Sequence, residues 1–189
     1  MSKAIMQVVP GSLQDQATAS GGSLAETFLN CDLVVLVDTS GSMIDSDAPG
    51  GRRRYDAACD ELAKLQASQP GKIGVIGFSS YPAFCPGGQP PFQKGGTDLA
   101  AALDYARLVD GLCKVVVISD GQPDNEEAAL RAARAYTTSE ISTVYVGPEG
   151  GAGQDFLRKL AAANRGQSVT AEKTKQLAAK IERLMLSAG

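Results

Sequence analysis

Leu33-Val34-Val35-Leu36-Val37-Asp38-Thr39-Ser40-Gly41-Ser42 is the stretch around which the rest of the chain can be arranged. Its opening run is apolar and rich in β-branched residues, an acid closes it, and a hydroxyl-rich turn follows. A run without alternation suits a strand buried on both faces, as in a parallel sheet covered by helices. Lys72–Phe78 (KIGVIGF), Lys114–Ser119 (KVVVIS) and Ser142–Val146 (STVYV) are of the same kind. Between them the apolar residues take helical spacing: Tyr55, Ala58, Leu62 and Leu65 share one face, as do Leu99, Leu103 and Ala106. Leu177, Ile181, Leu184 and Met185 form a further stripe near the C-terminus. Such alternation implies right-handed crossovers, and predicts an α/β fold with a doubly wound, mostly parallel sheet and helices on both faces. Ser80–Gly96 breaks the rhythm with prolines and predicts one short antiparallel edge strand, where a missing N–H does least harm. Residues 1–30 do not fit the alternation and read as an N-terminal extension, with an edge strand at Ile5–Val9.

The chain has 189 residues, enough for one domain with an arm. Its 43% hydrophobic content is that of a globular protein. A net charge of −3 gives little of the basic surface that nucleic acid requires, so no nucleic-acid partner is expected. The sequence contains no histidine, which removes Ser-His-Asp and Cys-His catalysis and the usual zinc ligand. No stretch reaches the ~18 apolar residues of a membrane span, and the N-terminus lacks a secretory apolar core, so a cytoplasmic protein is expected. Cys31, Cys59, Cys85 and Cys113 are widely spaced and read as reduced thiols; Cys85, in the proline-rich loop, is the one placed where it could be exposed.

In open α/β sheets, ligands bind beyond the carboxyl ends of the strands, where the strand order reverses. Asp38, Ser40 and Ser42 leave the first strand there. Asp120 follows the Lys114–Ser119 strand, and Thr97 lies in the Gly95-Gly96-Thr97-Asp98 loop before the helix at Leu99. Two carboxylates and three hydroxyls, with no nitrogen or sulfur, make a hard oxygen site suited to Mg²⁺, Mn²⁺ or Ca²⁺. Because most of the donors are neutral, a bound ion would keep much of its charge and accept a carboxylate from another molecule.

The order Asp-x-Ser-x-Ser, then Thr, then Asp resembles the metal-ion-dependent adhesion site of von Willebrand factor type A domains. The words VVLVDTSGSM, GGTDLAAAL, VVVISDGQPD and FLRKLAAANRG carry the likeness, which spans about residues 31–187 and includes a last short strand near Gln167–Thr170. The resemblance implies a Rossmann-like fold and a metal held directly by Ser40 and Ser42, and by Thr97 directly or through water. Asp38 and Asp120 would act through water, and a protein partner's Asp or Glu would complete the shell. Ser119 stands where many relatives carry Thr. The wording is similar to bacterial intracellular members, which work as adaptors in AAA+ ATPase-associated systems. A non-enzymatic, Mg²⁺-dependent protein-binding module is the expected function.

The competing reading is a Mg²⁺-dependent phosphatase with Asp38 as nucleophile. Haloacid-dehalogenase-like phosphatases place a second Asp two residues on as general acid, and here that position is Ser40. Among the neighbouring residues, Asp98 reads as the N-cap of the Leu99 helix and Asp124 as the cap of the helix from Asn125. Arg52-Arg53-Arg54 reads as a solvated charged face, or as a device that orients an acidic partner.

Overall fold

The computed structural model describes residues 8–48 and 50–170. Its strands are β1 (Leu33–Asp38), β2 (Ile73–Phe78), β3 (Pro82–Phe84), β4 (Lys114–Ser119), β5 (Ile141–Tyr145) and β6 (Ser168–Thr170). They form one six-stranded sheet in the order β3-β2-β1-β4-β5-β6. β3 alone runs antiparallel, pairing Pro82 with Phe78. The uninterrupted apolar runs are strands for the reason their composition gives: every residue of β1 and of β2 is buried.

Alternation along β1 divides the core between the two faces of the sheet. Leu33, Val35 and Val37 join Ala58, Leu62 and Leu65 of α3 (Arg54–Ser68) on one side. Val34 and Leu36 point to the other side, which is covered by α4 (Leu99–Ala106), α5 (Glu126–Arg134) and α6 (Ala152–Ala163). The chain passes from β1 through α3 to β2 on one side, then returns through α4 to β4 on the other. The strand order therefore reverses between β1 and β4, and their carboxyl ends diverge around a crevice.

The N-terminal extension contributes helices. α1 (Leu13–Ser20) is capped by Ser12, and α2 (Leu24–Leu29) by a capping box in which Ser23 and Glu26 satisfy each other's backbone N–H groups. Leu13 is buried in the core, and the Phe28 ring lies over Gly74, where a Cβ would sit 3.2 Å from it. Phe28 also meets Phe84 edge-on at 5.4 Å. Of the expected strand at Ile5–Val9, Val8 makes an isolated antiparallel bridge to Gly88, and residues 5–7 lie outside the described residues. The stripe from Leu177 to Met185 also lies outside them. Cys85 is buried rather than exposed, and burial pushes its thiol pKa up, away from reactivity. No helix among the described residues is long and apolar enough to cross a membrane.

Candidate metal centre

Asp38 ends β1 with its side chain fully enclosed. One carboxylate oxygen accepts the Ser40 N–H at 2.9 Å, and the other accepts the Ser119 hydroxyl at 2.7 Å. Burial pushes the Asp38 carboxyl up to about 6, against the pull of those hydrogen bonds, and the nearby Asp120 adds to the rise. Ser119 thus takes part in the site as the tie between the ends of β1 and β4, and it also accepts the Gly121 N–H at 2.9 Å.

After Asp38 the backbone turns, and the Ser40 and Ser42 hydroxyls come to 3.2 Å from each other. Ser42 lies in a short 3-10 turn, Gly41–Ile44, anchored by the fully buried Met43. Ser40 stands at the head of that turn yet makes no side-chain capping bond, so a helix cap does not account for its hydroxyl.

The loop carrying Thr97 is laced to both neighbouring loops. Gly41 N–H donates to Gly95 O at 3.1 Å, and Asp124 N–H donates to Thr97 O at 3.0 Å. Thr97 is 5% exposed. Asp98 caps α4 as the sequence predicts, accepting from Ala101 N–H at 2.9 Å. Asp124 does not cap α5. That role belongs to Asn125, which accepts from Ala128 N–H. The Asp124 carboxylate lies instead against Gly96, where a Cβ would meet its oxygen at 2.5 Å.

Asp120, 1% exposed, follows β4. Its Oδ1 accepts Gln122 N–H at 3.3 Å, while its Oδ2 accepts a 2.8 Å bond from Nη1 of Arg54. The same Nη1 reaches Ser42 O at 3.3 Å. The far side of the guanidinium, Nε and Nη2, grips Asp47 at 2.7 and 2.6 Å, and Nη1 also lies 3.5 Å from Asp45. Hydrogen bonding to Asp47 raises the Arg54 pKa further, and the same contact lowers that of Asp47.

Reading the arginine run as a solvated face therefore fails at one position. Arg52 and Arg53 lie at the surface, paired with Asp60 and Asp56, but Arg54 is buried. Its burial had a signal in the sequence. Arg54 sits four residues before Ala58 and eight before Leu62, on the buried stripe of α3.

The structure thus draws the loops bearing Asp38, Ser40, Ser42, Thr97 and Asp120 around one crevice. The donor chemistry fits a hard dication: hydroxyls and carboxylates, with no soft ligand among them. Among the described residues no group of three or more acids or thiols could chelate a metal by itself, so the hydroxyls would have to contribute.

Comparison with known structures places the fold. It is that of a von Willebrand factor type A domain. The structure of von Willebrand factor type A from Catenulispora acidiphila matches with a TM-score of 0.58 at 18% identity, over 80% of this chain and 42% of its own. An aerotolerance-related membrane protein from Bacteroides fragilis matches with a TM-score of 0.66 at 16% identity, over 81% of this chain and 97% of its own. The manganese-loaded TRAP protein of Plasmodium vivax matches at 0.54 and 17% identity, over 78% of this chain and 71% of its own. No protein-family model and no curated protein matches the chain by sequence.

Proposed function

We propose that this chain is a divalent-metal-dependent protein-binding module, not an enzyme, that captures an acidic side chain of a protein partner. The observation that carries this reading is the pair of Ser40 and Ser42 hydroxyls, 3.2 Å apart between two aspartates at the point where β1 and β4 diverge. Ser40, Ser42 and Thr97 would hold Mg²⁺, Mn²⁺ or Ca²⁺, with Asp38 and Asp120 acting through water. The ion, when bound, supplies a Lewis-acidic position for a carboxylate from outside. On the sequence resemblance, the proposal extends to a cytoplasmic partner in an AAA+ ATPase-associated system.

The phosphatase reading fares worse. Both oxygens of Asp38 are engaged, by Ser40 N–H and the Ser119 hydroxyl, and its side chain has no exposed face from which to attack phosphorus.

Calorimetric titration of Mn²⁺ into the metal-stripped protein tests the proposal. Stoichiometric binding is expected, together with its loss in Ser40→Ala, a substitution that removes a donor without stranding a buried charge. Binding that survives Ser40→Ala would place the metal elsewhere. Chelator-sensitive capture of a partner, abolished when the partner's acid becomes an amide, completes the test, and turnover of a generic phosphoester would overturn it.

Asp38 gives the binding a pH dependence. Its folded carboxyl holds a proton up to about 6, against an ordinary value near 4. Below that point the site loses a negative charge, so Mn²⁺ affinity should fall about fivefold from pH 6 to pH 5 and be level above 7. Metal-free stability should run the opposite way. Between about 4 and 6 the folded state binds more protons than the unfolded chain, so the Asp38 contribution to stability decreases as pH rises through that window. Titrations at pH 5, 6 and 7.5 check the first claim, and urea midpoints in chelator over the same range check the second.

A further inference from the structure

We propose that Arg54 is a resident counter-cation that competes with the divalent ion for Asp120 and thereby keeps the metal affinity of the isolated domain low. The inference rests on the metal-site reading above and adds a means by which that site is regulated.

A guanidinium seldom enters a protein interior unless its charge is matched. Arg54 is 5% exposed, and its fork is divided between two directions. Nε and Nη2 grip Asp47 at the protein surface, while Nη1 points inward to Asp120 Oδ2 at 2.8 Å and the Ser42 carbonyl, with the half-exposed Asp45 farther off at 3.5 Å. Arg54 therefore ties together two of the three loops on which the site is built, the one after β1 and the one after β4.

Its place in α3 sharpens the point. Arg54 opens the helix, where a cation opposes the helix dipole, so intrinsic helix energetics do not explain it. What matches it is the ring of Asp45, Asp47 and Asp120. Of these, Asp45 and Asp47 are half-exposed and screened by water, while the Asp120 side chain is 1% exposed. The unscreened end of the charge thus faces the crevice.

Two consequences follow from Coulomb's law in a partly buried site. A dication drawn toward Ser40, Ser42 and Asp120 must share that carboxylate with a cation already hydrogen-bonded to it. It must also tolerate a positive charge a few ångströms away. A carboxylate brought by a partner would offset both costs at once. Arg54 then makes the ion and the partner arrive together: weak metal binding by the domain alone, strong binding by the complex. Arg54 is a positioning residue here, acting through Asp120.

Mn²⁺ calorimetry at pH 7.5 on the wild type, Arg54→Gln, Asp47→Asn and Ser40→Ala tests this. Arg54→Gln, which removes the competing charge, should bind Mn²⁺ about tenfold or more tightly than the wild type. Asp47→Asn removes the surface anchor and leaves the Arg54 charge less compensated, so it should bind several-fold more weakly. A merely structural role would weaken both variants, and the opposed directions are what such a role cannot produce. Binding by the wild type with both variants shifted the same way, or neither shifted, overturns this inference and leaves the metal-site reading standing. If Arg54→Gln does not fold in chelator, an unchanged affinity in Asp47→Asn overturns it alone. Binding by Arg54→Gln where the wild type shows none supports it in its strongest form. No Mn²⁺ binding by any of the four proteins sinks both readings together.

Discussion

Asp120→Ala should destabilise the metal-free protein by about 3–5 kcal/mol, a penalty typical of stripping the partner from a buried ion pair. The Arg54 and Asp120 side chains are 7% and 1% exposed and meet at 2.8 Å. Removing the carboxylate leaves Nη1 of Arg54 with the Ser42 carbonyl at 3.3 Å and only the solvent-screened Asp45 carboxylate at 3.5 Å. The bidentate grip of Asp47 should hold the cost toward the lower end of that range. Position in the sequence suggests a milder outcome, because an acid just past a strand end is usually reached by solvent. Here the end of β4 lies beneath α6 and beside the first turn of α3. Urea unfolding in chelator measures the loss. Adding Arg54→Met should restore part of it, since the stranded charge goes too. Strictly additive losses in the double variant would show that the pair is not energetically coupled.

Gly153→Ala should cost about 3 kcal/mol, at the upper end of what overpacking usually brings. Elsewhere in a helix the same change stabilises by roughly 0.5–1 kcal/mol, so even the sign is diagnostic. Gly153 lies in the first turn of α6, packed onto the Asp120-Gly121 peptide, and a Cβ there would fall 1.9 Å from Asp120 O. The obstacle is backbone, which cannot rotate aside. Gly121 holds the reciprocal position at φ +74°, where a Cβ would lie 2.1 Å from Gly153 O. Relief requires α6 to lift or the Asp120 loop to shift, and the second would displace a carboxylate of the proposed metal site. A lowered urea midpoint together with weakened Mn²⁺ binding is expected, and a midpoint at or above that of the wild type would refute the argument.

Much of the sheet was legible in the sequence because β1, β2, β4 and β5 are almost wholly buried on both faces, so β-branched apolar residues dominate them and Ser142 and Thr143 of β5 are the one polar interruption inside a strand. The proline-rich segment yielded its edge strand for the converse reason: Pro82 can sit only where an N–H is not needed. The loops bearing Asp38, Ser40, Ser42, Thr97 and Asp120 could be placed together because strand-end residues follow from strand order. What escaped was set by contacts distant in sequence. Arg54 looks like its neighbours Arg52 and Arg53 until Asp120, 66 residues away, is seen beside it. Asp124 and Asn125 are equally able caps on paper, and the Gly96 backbone beside Asp124 distinguishes them. The helices of the extension carried local signals, Ser12 for α1 and the Ser23–Glu26 box for α2. They are only eight and six residues long, too short for periodicity to outweigh the polar composition around them.

The two borders of the sheet bear on how a partner can approach. Among the described residues, β3 and β6 are each three residues long, and β3 begins with a proline that offers no backbone donor. Borders so brief are poor templates for an incoming strand, which needs a longer row of unpaired donors and acceptors to gain register. The described borders favour neither self-association by strand exchange nor capture of an extended peptide along the sheet. On the proposed function, selectivity among partners would then be decided by a few side chains at the mouth of the crevice rather than by main-chain pairing.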